Sequence, residues 1–322
     1  MKARPLTRLL VLLLSAHVSC IAAAQTMPDG KPVRIVVPFS AGGQQDAIAR
    51  YLATGLTSQL GTPVVVENKA GASGMIAAES VAKGPADGSN LLLTTGAAIS
   101  IAPHFYPKLS YNPAKDFVSV AMIADIPMSL AVRANSPYKS LADVVADART
   151  RPEKVSVANT GIGSISHLTG ELFSQALGIK LLHVPYKGVG SIQDLIGGQV
   201  DLIMTSAVSL DSLVASQKVR VLGTFTKERV PTSGGAPTVS EALGLKGLEF
   251  PVWVAVLAPA KTPPKQLERI SAELLAICKT ASTTEAFKGI TACADAKTLD
   301  RVVLEDRQRW GEIIRKANIK PE

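Results

Sequence analysis

The sequence predicts an α/β protein of two lobes, each built on a mostly parallel sheet flanked by helices. Short β-branched and aliphatic runs alternate with amphipathic stretches, which is the pattern of parallel sheets with crossing helices. This pattern runs through one part of the chain and then starts again. Two isolated apolar segments stand where the chain passes between the two parts, so two crossovers are expected.

Residues 1–24 have the pattern of a cleaved secretory signal peptide. Lys2, Arg4 and Arg8 precede the apolar run Leu9–Leu14, and Ala22–Ala24 supplies small residues for cleavage. A lipoprotein signal ending at Cys20 is the alternative, but the Leu that such a signal has three residues earlier is absent. We expect cleavage near Ala24, which leaves 298 of the 322 residues as a periplasmic product.

The first lobe is predicted to comprise residues 25–126 and 253–322. It opens with the strand Val33–Val37, and a helix follows in which Ile48, Leu52 and Leu56 share one face. Further strands and helices are predicted at Val64–Val66, Gly74–Val81, Leu91–Leu93, Lys265–Cys278 and Leu299–Ala317.

The second lobe is predicted to comprise residues 127–252. Its elements are predicted at Val155–Ala158, His167–Leu177, Leu181–Val184, Ser191–Ile196, Val200–Met204, Leu210–Ser216 and Val219–Thr224. The crossover segments are Met128–Val132 and Trp253–Leu257. A site between two lobes joined in this way can close by hinge bending.

Each lobe has a glycine-rich loop between its first strand and its first helix. In the first lobe this loop is Pro38–Asp46, with Gly42 and Gly43 at its centre; in the second it is Asn159–His167. A glycine loop that leads into a helix N-terminus can cradle an anion. The alternatives are two ordinary βα turns, with Asp46 as a capping residue and His167 packed on its own loop.

Composition and motifs exclude several function classes. Three of the eight net positive charges lie in the signal peptide, and the remaining +5 is spread without a basic run, so a nucleic-acid partner is not expected. We find no dinucleotide fingerprint, phosphate-binding loop or nucleophile elbow, and no acid–base pair. An enzyme is therefore not expected. The four His are too scattered for metal-site spacing, so no metal or cofactor is expected either.

Two cysteines, Cys278 and Cys293, remain in the mature chain. They could form a disulfide or remain as two buried thiols. An even number of cysteines in an exported chain favours the disulfide.

The chain resembles the Bug family, the extracytoplasmic receptors of tripartite tricarboxylate transporters, over essentially the whole mature sequence. The resemblance is carried by Pro32–Phe39 with Gly42, Gly43 and Asp46, then by Glu67–Gly74, Tyr111–Pro113, Asp116–Phe117, Val184–Gly188, Gly198–Asp201, Trp253, Pro259–Pro263 and Trp310. Two long amides, Gln44 and Gln45, replace the smaller side chains common in the family and are expected to reshape the ligand's distal subsite.

The resemblance implies a Venus-flytrap binding protein, type II-like, that captures a small carboxylate between its lobes: a di- or tricarboxylate, an amino acid or an aromatic acid. It implies a monomer that passes its ligand to integral-membrane transporter subunits; the alternative is a sensor that docks on a membrane kinase. The expected ligand-contact residues are Phe39, Ser40, Ala41, Gly42, Gly43, Gln44, Asp46, Thr95, Thr160, Gly163, Ser164, His167 and Tyr186.

Overall fold

The computed structural model describes residues 31–186, 190–281, 287 and 290–320, and the predicted signal peptide lies outside them. The strands are β1 (Val33–Val37), β2 (Val64–Asn68), β3 (Asn90–Thr95), β4 (Phe117–Asp125), β5 (Met128–Arg133), β6 (Ser156–Asn159), β7 (Leu182–Pro185), β8 (Leu202–Ser206), β9 (Val219–Thr224), β10 (Trp253–Pro259) and β11 (Thr291–Asp295).

The helices surround these strands. They are α1 (Gln44–Leu60), α2 (Met75–Ala82), α3 (Ala102–Phe105, after a π-helical turn at Ala97–Ile101), α4 (Leu141–Thr150), α5 (Ile165–Leu177), α6 (Gly190–Gly197), α7 (Ala207–Ala215), α8 (Val239–Leu243), α9 (Pro264–Thr280) and α10 (Ala296–Lys316). Short 3₁₀ turns occur at Ala72–Gly74 and Pro231–Ser233.

The strands form two separate sheets, which confirms the two-lobed α/β fold. One sheet has the order β11-β4-β10-β3-β1-β2, and the other has the order β7-β6-β8-β5-β9. Most strands of each sheet run in one direction: β1, β2, β3 and β4 in the first, and β6, β7, β8 and β9 in the second. Both sheets are nevertheless mixed, because β10 and β5 run against their neighbours.

The edge strand β11 is antiparallel to β4, and two internal strands, β5 and β10, are antiparallel to both of their neighbours. These two internal strands are the predicted crossover segments. Each enters the sheet between strands of the opposite direction, so every pair that it makes is antiparallel. A sequence pattern identifies such a segment as a buried strand but does not give its direction. The division of the chain into lobes at residues 126 and 253 stays a prediction.

Three predicted strands of the second lobe, β6, β7 and β8, begin and end one or two residues later than expected, whereas β9 has the predicted bounds. The apolar pattern stops at Ala158 and Met204, whereas the paired strands continue to Asn159 and Ser206. Polar residues at the carboxyl ends of strands are therefore part of the sheet. These ends border the site described below.

The crossovers are joined to each other by hydrogen bonds. The Ile126 N–H donates to the Val252 carbonyl at 2.9 Å, and the Val252 N–H donates to the Asp125 carboxylate at 2.9 Å. Burial raises the pKa of Asp125 to about 6. Both chain passages therefore sit side by side at one place, as hinge closure requires.

An aromatic chain connects α5 to α10 behind the hinge. Phe173 contacts Phe225, Phe225 contacts Phe250, and Phe250 contacts Trp310, with ring centroids 6.1, 6.0 and 5.1 Å apart. Within the same part of the molecule, the Gln175 amide donates to the Ile313 carbonyl at 3.3 Å. The C-terminal helix thus contacts the second sheet's helices as well as its own sheet.

Cys278 on α9 and Cys293 on β11 form a disulfide, with Cα atoms 5.7 Å apart. The disulfide alternative is confirmed. It ties the short edge strand β11 to a helix that packs on β4.

Candidate ligand-binding cleft

A cleft of about 580 Å³ is lined by residues from both sheets and from both crossovers. Its polar lining consists of Gln45, Ser73, Thr95, Tyr106, Thr160, Ser164, Ser166, Thr205 and Ser206. Its apolar lining includes Phe39, Ile101, Phe105, Ile126, Met128, Ile162, Ile165 and Val252. None of the lining residues that the structure describes carries a charge.

The cleft lies at the carboxyl ends of parallel strands in both lobes. Phe39 follows β1 and Thr95 ends β3, while Thr160 follows β6 and Thr205 lies at the end of β8. The carboxyl ends of parallel strands lie along one edge of a sheet, which is where α/β folds bind ligands. The topology therefore brings together hydroxyl groups that are far apart in sequence.

The first glycine loop is held by the carboxylate of Asp46. This carboxylate accepts hydrogen bonds from the Gly42 N–H, Arg50 Nε and Asn68 Nδ2, each at 2.9 Å. Its side chain is only 4% exposed. The Arg50 hydrogen bond, together with these amide donors, lowers the pKa of Asp46 to about 2. The carboxylate is therefore ionised, and it ties the loop to Arg50 on α1 and to Asn68 at the end of β2.

The N-terminus of α1 offers amides that the loop does not use. The N-cap residue Gly43 has no side chain to accept from the first helical turn. The first intrahelical hydrogen bond is made by the Ala47 N–H, so the Gln44 and Gln45 amides have no partner within the helix. Gln45 lines the cleft.

The second glycine loop is held by the imidazole of His167. The Gly163 N–H donates to His167 Nδ1 at 3.0 Å, and the His167 N–H donates to Ser164 Oγ at 3.2 Å. Thr160 and Ser166 share a hydroxyl contact of 2.9 Å, and Ser166 also contacts Ser164 Oγ at 3.0 Å. Burial lowers the pKa of His167, so the imidazole is neutral.

A third segment at the cleft is a left-handed turn of four consecutive residues. Gly71, Ala72, Ser73 and Gly74 have φ values of 126°, 46°, 52° and 89°. Two of these are not glycine, and positive φ at non-glycine residues is uncommon and enriched at functional sites. Gly74 is the N-cap of α2, so this helix also begins at the cleft.

The two lobes contact each other at Gly163. This residue has a φ of +73°, and a Cβ atom placed on it would lie 2.8 Å from Cε2 of Phe105 in the first lobe. Glycine is therefore required at this position for two reasons, backbone conformation and close approach.

Five of the predicted ligand-contact residues line the cleft: Phe39, Thr95, Thr160, Gly163 and Ser164. Five others belong to the adjacent first loop without lining the cleft: Ser40, Ala41, Gly42, Gly43 and Gln44. Asp46 and His167 lie behind the loops that they hold. Tyr186 follows β7 and does not line the cleft. Its N–H donates to the Asn159 carbonyl at 2.9 Å, and its hydroxyl donates to Asp194 at 2.7 Å, a bond that raises its pKa to about 12.

Several lining residues were not among the predicted contacts. Thr205 and Ser206 follow an apolar run and precede a helix, as Thr160 does, and this local signal could have identified them. Ser73 lies within the family-like segment Glu67–Gly74, but only the backbone shows its left-handed conformation. Phe105 carries no such signal, since its place depends on the contact between lobes.

Comparison with known proteins identifies the family of the chain. Residues 48–319 match the tripartite tricarboxylate transporter family receptor, TctC. The chain belongs to this family. Protein BugT of Bordetella pertussis is 32% identical over 98% of this chain and 99% of its own length.

Three solved structures resemble the chain over almost their full length. The periplasmic binding protein BugD is 34% identical with a TM-score of 0.75, covering 90% of this chain and 99% of that one. R. palustris Rpa4515 with adipate is 32% identical with a TM-score of 0.75, covering 90% and 98%. MatC from Rhodopseudomonas palustris with bound malate is 30% identical with a TM-score of 0.71, covering 88% and 98%.

The chain is thus a solute-binding protein of the TctC/Bug receptors, a family of binding proteins and not of enzymes. Its structural relatives are periplasmic. Among the helices of residues 31–186, 190–281 and 290–320, none is long and apolar enough to cross a membrane.

Proposed function

We propose that the cleft binds a small dicarboxylate in the periplasm, and that the loaded chain delivers it to the membrane subunits of a tripartite tricarboxylate-type transporter. The observation that carries this proposal is the composition of the cleft. Hydroxyl groups and helix N-termini from both lobes border it, apolar side chains fill the space between them, and no described lining residue is charged.

An anion can be held in such a site without a charged side chain. Each helix N-terminus carries roughly half a positive charge on its free amides, and α1, α2 and α5 all begin at the cleft. Hydroxyls of Thr95, Thr160 and Thr205 add donors, and hydrogen bonds to a carboxylate are stronger than neutral ones. We infer that backbone amides and hydroxyls together replace the Arg that many carboxylate sites use.

Donors in both lobes favour a ligand with two carboxylates. Closure requires a ligand that binds the closed form better than the open one, and a dicarboxylate can contact one lobe with each end. Ile126, Met128 and Val252 at the crossovers suit an aliphatic chain between those ends. The relatives with adipate and malate are consistent with this class.

The test is thermal unfolding of the mature chain, refolded to remove any ligand carried from the cell, against a panel of small acids. A dicarboxylate at a hundred times its dissociation constant should add about 2.7 kcal/mol to the free energy of unfolding. The matched control is the diamide of the same acid, which keeps the shape and loses the charge. Two results would contradict an anion-binding cleft: equal stabilisation by the acid and its diamide, or no stabilisation by any dicarboxylate in the panel.

The transporter partner is tested separately. Co-expression with candidate membrane subunits should give uptake of the radiolabelled acid that depends on this chain. The contrary result is that the chain co-purifies with a membrane kinase and changes the phosphorylation of that kinase when the acid is added. That result would show that the chain is a ligand sensor.

A further inference from the structure

Three metal-binding side chains meet directly behind the second glycine loop. His167 and Glu171 lie one turn apart on α5, and His183 lies on the neighbouring strand β7. One donor atom from each lies within 4.8 Å of the others. Glu171 Oε1 is 3.2 Å from His183 Nε2 and 3.9 Å from His167 Nε2. The fold therefore brings together two histidines that are sixteen positions apart in the sequence, a spacing that does not indicate a metal site.

No Lys or Arg among the described residues forms an ion pair with the carboxylate of the cluster. The ion-pair partners of Glu171 in that part of the chain are the two imidazoles. Neither buried ring nitrogen of His183 makes a well-aligned hydrogen bond with the described residues, although Nε2 lies 3.2 Å from Glu171 Oε1. A buried carboxylate and unpaired imidazole nitrogens are costly unless a cation satisfies them.

The helix is shaped to admit the imidazole of His183. Gly170 lies within α5, and a Cβ atom on it would lie 2.6 Å from Cε1 of His183. Glycine inside a helix costs roughly 0.5–1 kcal/mol relative to alanine. The side chains of Glu171 and His183 are 21% and 14% exposed, so the cluster lies close to the protein surface.

We propose that His167, Glu171 and His183 bind a divalent transition-metal ion of the zinc class, with water as the fourth ligand. Two His and one Glu form a donor set that zinc accepts in proteins, and ligands in a tetrahedral site lie about 3.4 Å apart. The two separations that involve Glu171, 3.2 and 3.9 Å, are close to that value, and all three donor atoms lie within 4.8 Å of one another, so side-chain movements on the order of one ångström complete the site.

Metal binding has a consequence for the adjacent loop. His167 Nδ1 accepts from the Gly163 N–H, so the neutral ring carries its proton on Nε2. A metal on Nε2 displaces that proton to solvent, and the neutral ring must take one up on Nδ1. The Gly163 N–H then loses its acceptor. The metal and the present loop conformation therefore compete for one imidazole.

The test is zinc titration of tag-free mature protein, first dialysed against a chelator. Calorimetry should give one Zn²⁺ per chain, and Co²⁺ in its place should give the visible absorption of a four-coordinate ion. His183→Gln should lose this binding. His104→Gln is the matched control, since His104 is also partly buried but contacts the Arg307 carbonyl far from the cluster, and it should bind as the wild type does.

Equal zinc binding by wild type and His183→Gln, or no binding by the wild type at millimolar zinc, would overturn the proposal. If His183→Gln does not fold, as judged by circular dichroism of the metal-free protein, the more exposed Glu171→Gln takes its place. The amide proton of Gly163, followed by NMR, should shift on zinc addition in the wild type only. If zinc leaves the Gly163 amide resonance unchanged, the inference that the metal and the loop compete for His167 is wrong.

Discussion

The two glycine loops share one backbone arrangement and differ in the side chain that holds it. In each lobe a glycine with positive φ donates its N–H to the side chain four residues later, in the first turn of the helix. The pair is Gly42 and Asp46 in the first lobe, and Gly163 and His167 in the second. The first side chain is an ionised carboxylate, and the second is a neutral imidazole.

Because of this difference, the two lobes are expected to contribute unequally to the electrostatic attraction of an anionic ligand. Asp46 places a negative charge in the first turn of α1, where it offsets part of the helix N-terminal charge. The first turn of α5 contains no acidic residue. We expect the second lobe to supply the larger share of the attraction for an anionic ligand, and the first lobe to supply a rigid loop whose ionised carboxylate is paired with Arg50.

The largest effect on ligand affinity is expected from substituting Gly163, the glycine that contacts the opposite lobe. Gly163→Ala should weaken binding of the best dicarboxylate by at least about tenfold, or about 1.4 kcal/mol, because its Cβ meets Phe105 when the lobes approach. Gly42→Ala is the matched control: it has a similar φ, but no atom lies within 4 Å of its added Cβ. Calorimetry measures both affinities, and equal losses would contradict a role for the contact between lobes.

A smaller effect is expected from neutralising the first lobe's carboxylate. Asp46→Asn should lower the free energy of unfolding at pH 7 by about 1 kcal/mol, a value reduced for the solvent exposure of Arg50. The pKa of Asp46 is lowered from 3.8 to about 2, so its stabilisation is complete above pH 3.8 and is lost as the pH falls through about 2.

Denaturant unfolding at pH 7, 4 and 3 checks this prediction. The difference between wild type and Asp46→Asn should be constant from pH 7 to just above the unfolded pKa and should then narrow. A difference that grows as the pH falls would contradict the assignment of Asp46 as an ionised loop partner.

The smallest effects on ligand affinity are expected from removing single hydroxyl groups. One such substitution in each lobe allows the contributions of the two lobes to be compared directly. Thr95→Val and Thr205→Val each remove one hydroxyl that lines the cleft without changing side-chain shape. Each should weaken binding by about 0.5–1.5 kcal/mol if its hydroxyl bonds the ligand. Thr54→Val, on the exposed side of α1, is the control and should bind as the wild type does. Losses confined to Thr95→Val would contradict the larger role given to the second lobe.

Local sequence signals predicted most of the fold and part of the site. The β1 strand, the β9 strand and the glycine loops were correctly placed because apolar periodicity and glycine depend on near neighbours. The strand β11 was missed because Thr-Ala-Cys-Ala-Asp has little intrinsic strand preference. It is a strand through its pairing with β4 and its disulfide to α9. The helix α4 was also missed, although Ser140 and Asp143 form a capping box.

By itself, the sequence determined the repeated strand–loop–helix units, the need for glycine at the loops and the absence of any catalytic motif, since each depends on residues a few positions apart. Only the tertiary structure decided which residues face one another. It reversed the crossover strands relative to their neighbours, placed Phe105 against Gly163 and brought His183 to His167 and Glu171. Contacts between distant segments follow from how the sheets and helices pack, and no local pattern encodes that packing.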